Sequence, residues 1–157
     1  MKTMPLHWHP IATITFLAAT LMLGRAAELQ AQTSTANEPS IQLRSGKFNC
    51  TVPLKNGKIE LKNTPNCEND EANEFRLAGM QSGMLLTFTD EPNCSTARSW
   101  WFAVEMADSG LSTGWITLTD LNSSPVGGLI TAGLYLHSKS SEPIKQGKLS
   151  CIEVAHY

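Results

Sequence analysis

The sequence predicts an all-β protein, an antiparallel Greek-key β-sandwich with two disulfides, and three observations carry that reading. Short apolar runs alternate with clusters of Gly, Pro, Asn, Asp and Ser along most of the chain. No stretch keeps the i, i+3, i+4 spacing over the length that a core helix needs. The four cysteines all lie between Cys50 and Cys151, and an even number in a small domain reads as a disulfide framework.

The chain has 157 residues, enough for one domain once a targeting segment is set aside. Residues 1–31 read as a secretory signal peptide. Lys2 precedes an uncharged run over 11–23, and Ala26, Ala27 and Ala31 offer small residues for cleavage. As a helix that run spans about 20 Å, short of the ~30 Å core of a bilayer. Cleavage is expected after Ala31, with the Ser34-Thr35-Ala36 segment as second choice. No stable membrane anchor is expected to remain. Removing Lys2, Arg25 and Glu28 moves the formal charge from −2 to −3. The balance is near neutral, so a nucleic-acid partner held by a basic field is not expected.

Residues 32–45 are expected to be a flexible lead-in, and 46–157 the β-sandwich domain. The first strand is read at 47–52, with Phe48, Cys50 and Val52 on one face. Asn56-Gly57 then turns into a strand at 58–61, a hairpin signal. Further strands are expected at 75–78, 84–89, 100–106, 115–121, 129–137 and 148–154. At Trp100-Trp101-Phe102 alternation puts Trp100 and Phe102 on one face and Trp101 on the other. Trp101 is thereby a candidate partner anchor, as exposed aromatics often are.

Two internal echoes bear on the cysteines. Gly46-Lys47-Phe48-Asn49-Cys50 resembles Gly147-Lys148-Leu149-Ser150-Cys151, as the first and last strands of one sandwich could. Of the three possible connectivities, this favours Cys50–Cys151 with Cys67–Cys94. Pro65-Asn66-Cys67 is echoed by Pro92-Asn93-Cys94, each followed eight positions later by a phenylalanine, Phe75 and Phe102. A duplicated unit and a chance likeness of turn chemistry both explain that spacing.

Asn69-Asp70, Phe75-Arg76-Leu77, Ser82-Gly83, Leu85-Leu86-Thr87-Phe88 and Asp90-Glu91-Pro92-Asn93, followed by Trp100 or Trp101, resemble the βγ-crystallin-like domains of secreted microbial proteins. The likeness covers about residues 67–106. It implies a two-sheet Greek-key sandwich and a Ca²⁺ site in which Asn69 and Asp70 form the leading pair. Asn73 and Glu74 stand where that family has a hydroxyl residue and Ser, and Arg98 adds a positive charge near the second loop.

The residues themselves also suggest a hard cation. Glu68, Asp70, Glu71 and Glu74 crowd one short segment with Asn66, Asn69 and Asn73. Ca²⁺ takes six to eight such oxygen ligands, and the candidate set is Asn69, Asp70, Glu71 and Glu74. A solvated acidic loop is the alternative. No cofactor is required by the sequence, and Ca²⁺ is the one it makes room for.

Catalytic patterns are sparse, and an enzyme is not expected. Gly110-Leu111-Ser112-Thr113-Gly114 has the form of a nucleophile elbow, but a strand pattern follows it where a helix is needed. His137 and His156 do not cluster as zinc ligands. The function expected is that of an exported binding protein, periplasmic or secreted, with a protein or cell-envelope partner. The first alternative is an inhibitor or immunity protein whose acidic loop, through Glu68 and Glu71, blocks an extracytoplasmic enzyme. A small hydrolase is the second.

Overall fold

The computed structural model describes residues 38–46 and 48–156. The expected leader and most of the lead-in lie outside the described residues. Ten strands follow: β1 Ser40–Arg44, β2 Asn49–Pro53, β3 Gly57–Glu60, β4 Glu74–Ala78, β5 Met84–Thr89, β6 Trp101–Met106, β7 Ile116–Thr117, β8 Leu129–Thr131, β9 Leu134–Lys139 and β10 Cys151–His156. They form a four-stranded sheet, β2-β1-β4-β7, and a six-stranded sheet, β3-β10-β5-β6-β9-β8. Every pairing between named strands is antiparallel. The all-β, two-sheet, two-disulfide expectation holds. Neither sheet contains three successive hairpin-linked strands, so no Greek key lies within a single sheet.

Alternation builds the core. Ile41 and Leu43, Cys50 and Val52, and Phe75 and Leu77 are buried from the four-stranded sheet; Leu86 and Phe88, Phe102 and Val104, Leu134 and Leu136, and Ile152 and Val154 are buried from the six-stranded one. The layers meet through aromatic rings. Phe75 of β4 lies 4.9 Å from Phe88 and 6.3 Å from Phe102, and Phe88 stacks on Phe102 at 4.6 Å. Such pairs add about 0.5–1.5 kcal/mol beyond their burial. Trp100 stacks on Phe102 on the buried side, and Trp101 is half-buried on the other, as strand alternation predicts.

Several sequence expectations need correction. The lead-in assigned to 32–45 contains β1, an interior strand paired to β2 on one side and β4 on the other. Its signal is only Ile41 and Leu43, too short a run to stand out, yet both are completely buried. The predicted hairpin around Asn56-Gly57 does not form, because β2 pairs with β1 and β3 pairs with β10. That segment instead carries the chain from one sheet to the other. The strand expected at 129–137 is two, turned at Gly133, where φ is +77°. The one at 115–121 is a two-residue β7 running into a 3-10 turn, Leu118–Asn122.

The disulfides join Cys50 to Cys67 and Cys94 to Cys151, with Cα atoms 5.3 and 5.1 Å apart. The expected Cys50–Cys151 and Cys67–Cys94 pairing is wrong because Cys50 and Cys151 belong to different sheets. Cys151 pairs in register with Thr89, whose strand leads directly into the turn that carries Cys94. Both echoes therefore belong together: each strand cysteine bonds to the cysteine of one Pro-Asn-Cys turn.

Candidate functional site

The acidic segment crosses one end of the sandwich and is pinned by its backbone. The Asp70 N–H donates to the Leu149 carbonyl at 3.1 Å, and the Asn73 N–H to the Arg44 carbonyl at 2.9 Å. Gly147, at φ +58°, permits the close approach, since a Cβ there would lie 3.1 Å from the Asp70 carbonyl oxygen. Ala72 is fully buried beneath the loop, while Glu68 and Glu71 are exposed.

The carboxylates of this segment have different partners. Glu74 Oε2 accepts a hydrogen bond from Arg44 Nε at 2.5 Å, and that bond holds its carboxyl below the usual value. Asp70 Oδ1 accepts the Ser150 hydroxyl at 2.8 Å. Among the described residues no three His, Cys, Asp or Glu side chains form a group suited to a metal ion. What the loop offers a hard cation is amide oxygen: Oδ1 of Asn69 and of Asn73 are buried without a hydrogen-bond partner. Nearby, burial and the charge of Asp70 push the Asp90 carboxyl above its ordinary value.

Trp101 lines a shallow crevice of about 350 Å³ with Arg98, Ser99, Ser140 and Glu142. Its backbone is fixed there by the Ser140 hydroxyl, 3.1 Å from the Trp101 N–H. A depression of about 660 Å³ holds Ser82, Ser109, Ser112 and His156. Ser112 Oγ accepts the Gly79 N–H and Ser109 Oγ the Ser82 N–H. Among the described residues no carboxylate lines this groove to orient His156 as a base.

A fourth site carried no motif. On the open side of the sandwich, β7 ends the four-stranded sheet and β8 ends the six-stranded one. A cleft of about 250 Å³ lies between them, lined by Trp115, Ile116, Thr117, Asp120, Leu121, Ser124, Leu129 and Ile130. Leu129 is 60% exposed and neighbouring Val126 57%. Both walls are braced by cations. The guanidinium carbons of Arg44 and Arg76 lie 4.0 and 4.9 Å from the Trp115 ring centre. Lys139 Nζ donates to the carbonyls of Leu121, Asn122 and Ser124 at 3.1, 2.7 and 2.8 Å.

No family model, curated protein or solved structure matches this chain. The sites are therefore weighed by their own chemistry. The serine groove commits hydroxyls to backbone amides, and the acidic loop commits two carboxylates to internal partners. The cleft has Leu129 exposed at its rim, beside the terminal strands of the two sheets. Sequence reading passed over it because Trp115 looked like an ordinary strand residue and its cations come from β1 and β4. No helix among the described residues is long and apolar enough to cross a membrane.

Proposed function

We propose that this chain is an exported, disulfide-stapled β-sandwich that binds a protein or cell-envelope partner and performs no catalysis. The observation that carries the proposal is the exposed apolar pair Val126 and Leu129 beside the end strands of both sheets. Exposed aliphatics at a strand edge are a liability unless something covers them. Export is supported by the leader pattern and by two disulfides, which persist in oxidising compartments. Kinship with βγ-crystallin-like domains belongs to the same proposal and rests on the sequence motifs over residues 67–106.

The test is affinity capture from the envelope or medium of the source cells, with wild-type protein and with Leu129→Asp. The proposal expects a partner that the variant loses. Turnover of an ester or glycan panel by the purified chain would contradict it.

A second reading has its own support. Glu68 and Glu71 are exposed on a loop fixed by the Asp70 and Asn73 backbone bonds and by the adjacent Cys67 bridge. Rigid loops lose little entropy on binding, which suits an inhibitor that inserts acid into a basic active site. Charge reversal of both residues would abolish that association and spare the first. Weak calcium binding is proposed at the same loop, supported by the free amide oxygens of Asn69 and Asn73 beside Asp70. Calorimetry at millimolar Ca²⁺ tests it, and absence of heat would remove it.

A further inference from the structure

The Trp101 crevice has a ligand chemistry of its own. We infer that it takes the end of a neutral glycan, with the indole of Trp101 against a sugar ring and Arg98 and Glu142 on the ring hydroxyls. The inference adds a site and a ligand class to the binding reading above and does not depend on Leu129.

Both walls are held in place by the chain itself. Arg98 lies on the segment between β5 and β6, which Cys94 ties to Cys151 of β10. The Asp90 N–H donates to the Trp100 carbonyl and closes that segment at its ends. Within it the Ser95 N–H donates to Asn93 Oδ1 and the Ala97 N–H to Ser95 Oγ. Glu142 lies between β9 and β10. There the Ser140 N–H donates to the Trp101 carbonyl at 2.9 Å, and buried Ile144 exchanges two hydrogen bonds with the Asn122 side-chain amide. A ligand has little left to order, which favours binding.

Charge narrows the ligand. The ion pairs among the described residues are Arg44–Glu74, Lys55–Glu38, Lys62–Glu60 and His137–Glu105. Exposed Arg98 and Glu142 therefore form none, even with each other, although both line the crevice. A guanidinium only donates and a carboxylate only accepts. An anion here meets the like charge of Glu142, and a cation that of Arg98. A neutral ligand rich in hydroxyls, which both donate and accept, bonds to the two without either repulsion. Hydrogen bonds with one ionised partner are the stronger kind.

The rest of the lining agrees. Thr96, Ser99 and Ser141 add hydroxyls, and Ser99 Oγ is buried without a hydrogen-bond partner, a state that calls for one. Ser140 is already committed, accepting the Trp101 N–H and donating to the Glu142 carbonyl. Trp101 is the one aromatic residue of the lining among the described residues, and its indole supplies apolar surface for the C–H groups of a sugar ring. An extended peptide finds no strand edge here, because β6 is paired on both sides, by β5 and by β9. At about 350 Å³ the crevice lies at the lower end of the small-ligand range.

The probes are cellotriose, maltotriose and tri-N-acetylchitotriose, with phosphocholine and a capped trialanine peptide as controls. Magnetic-resonance titration of the isotope-labelled mature chain reads binding at the indole N–H of Trp101 and the amides of Arg98, Ser99 and Ser141. At least one sugar is expected to give saturable shifts at these positions in the millimolar range, unaltered by added salt because the ligand is neutral. Arg98→Ala and Glu142→Ala, both at exposed positions, should each weaken that binding about tenfold. Trp101→Ala should abolish it; a melting scan shows whether this variant is folded, and the other two decide the matter where it is not. No saturable shift from any sugar, shifts elsewhere, loss of binding in salt, unweakened binding by both exposed-site variants, or saturation by a control alone overturns the inference. None of these outcomes touches a capture that depends on Leu129, and failure of that capture leaves sugar binding at Trp101 in place.

Discussion

The guanidinium carbon of Arg44 lies 4.0 Å from the centre of the Trp115 ring. The same side chain holds Glu74 through Nε, so one arginine ties β1, β4 and the residue before β7 across the outer face of the four-stranded sheet. Contacts of a cation with an aromatic face contribute about 0.5–1 kcal/mol at exposed sites. The arrangement stabilises an edge that is otherwise only two paired residues long.

Arg44→Gln should loosen that edge in a pH-dependent way. Glu74 is held below its ordinary 4.5 mainly by the Arg44 hydrogen bond. Its share of stability is complete above that ordinary value and fades as pH falls through the lowered one. Melting scans should show a small deficit for the variant at pH 7 that narrows in the acid range, leaving the part due to the Trp115 contact. A deficit of constant size down to pH 3 would contradict the assignment.

Asp90 has the opposite sign. Burial, aided by the charge of Asp70, raises its carboxyl above the ordinary 3.8. The folded state therefore holds the proton more tightly, and the cost of the charge is full above the raised value. Asp90→Asn should melt higher than wild type at pH 7, and the gain should vanish as pH falls below about 3.8. A loss of stability at pH 7 would mean that the carboxylate has a partner after all.

The two disulfides should differ in weight. They close segments with sequence separations of 17 and 57 residues, which the chain-entropy estimate converts to about 3 and about 4 kcal/mol. Urea unfolding should show a larger loss for the Cys94→Ala, Cys151→Ala pair than for Cys50→Ala, Cys67→Ala. The reverse order would point to strain or residual structure in the unfolded chain.

Lys139→Met removes the donor shared by the carbonyls of Leu121, Asn122 and Ser124. Bonds to a charged group contribute about 1.5–3 kcal/mol each at most, and part of the loss is recovered by water. We expect a stability loss of about 1–3 kcal/mol and faster amide exchange at Ser123 and Ser124, whose N–H groups bond to Asp120 and Leu121. Unchanged exchange there would show that the turn does not depend on the lysine.

How much of this was legible follows from the range of each interaction. The faces of Phe48, Cys50 and Val52, and of Trp100 and Phe102, follow from two-residue alternation alone. β1 was missed because two apolar residues make no visible period, although tertiary pairing buries both. The cysteine pairing failed because likeness between segments 46–50 and 147–151 says that they are similar, not that they are adjacent. Residues 68–73 form no strand, whereas Glu74 belongs to β4 and bonds to Arg44 of the neighbouring strand. The cleft was invisible, since its walls and the cations that brace them come from segments far apart in the chain.

The central claim is that the open side between β7 and β8 is where a partner binds. A photo-crosslinking residue in place of Leu129, compared with the same group in place of Glu68, tests it most directly in cells of the source. The account predicts one discrete adduct from position 129 and none from position 68. An adduct from position 68 alone, or no adduct from either, would contradict it.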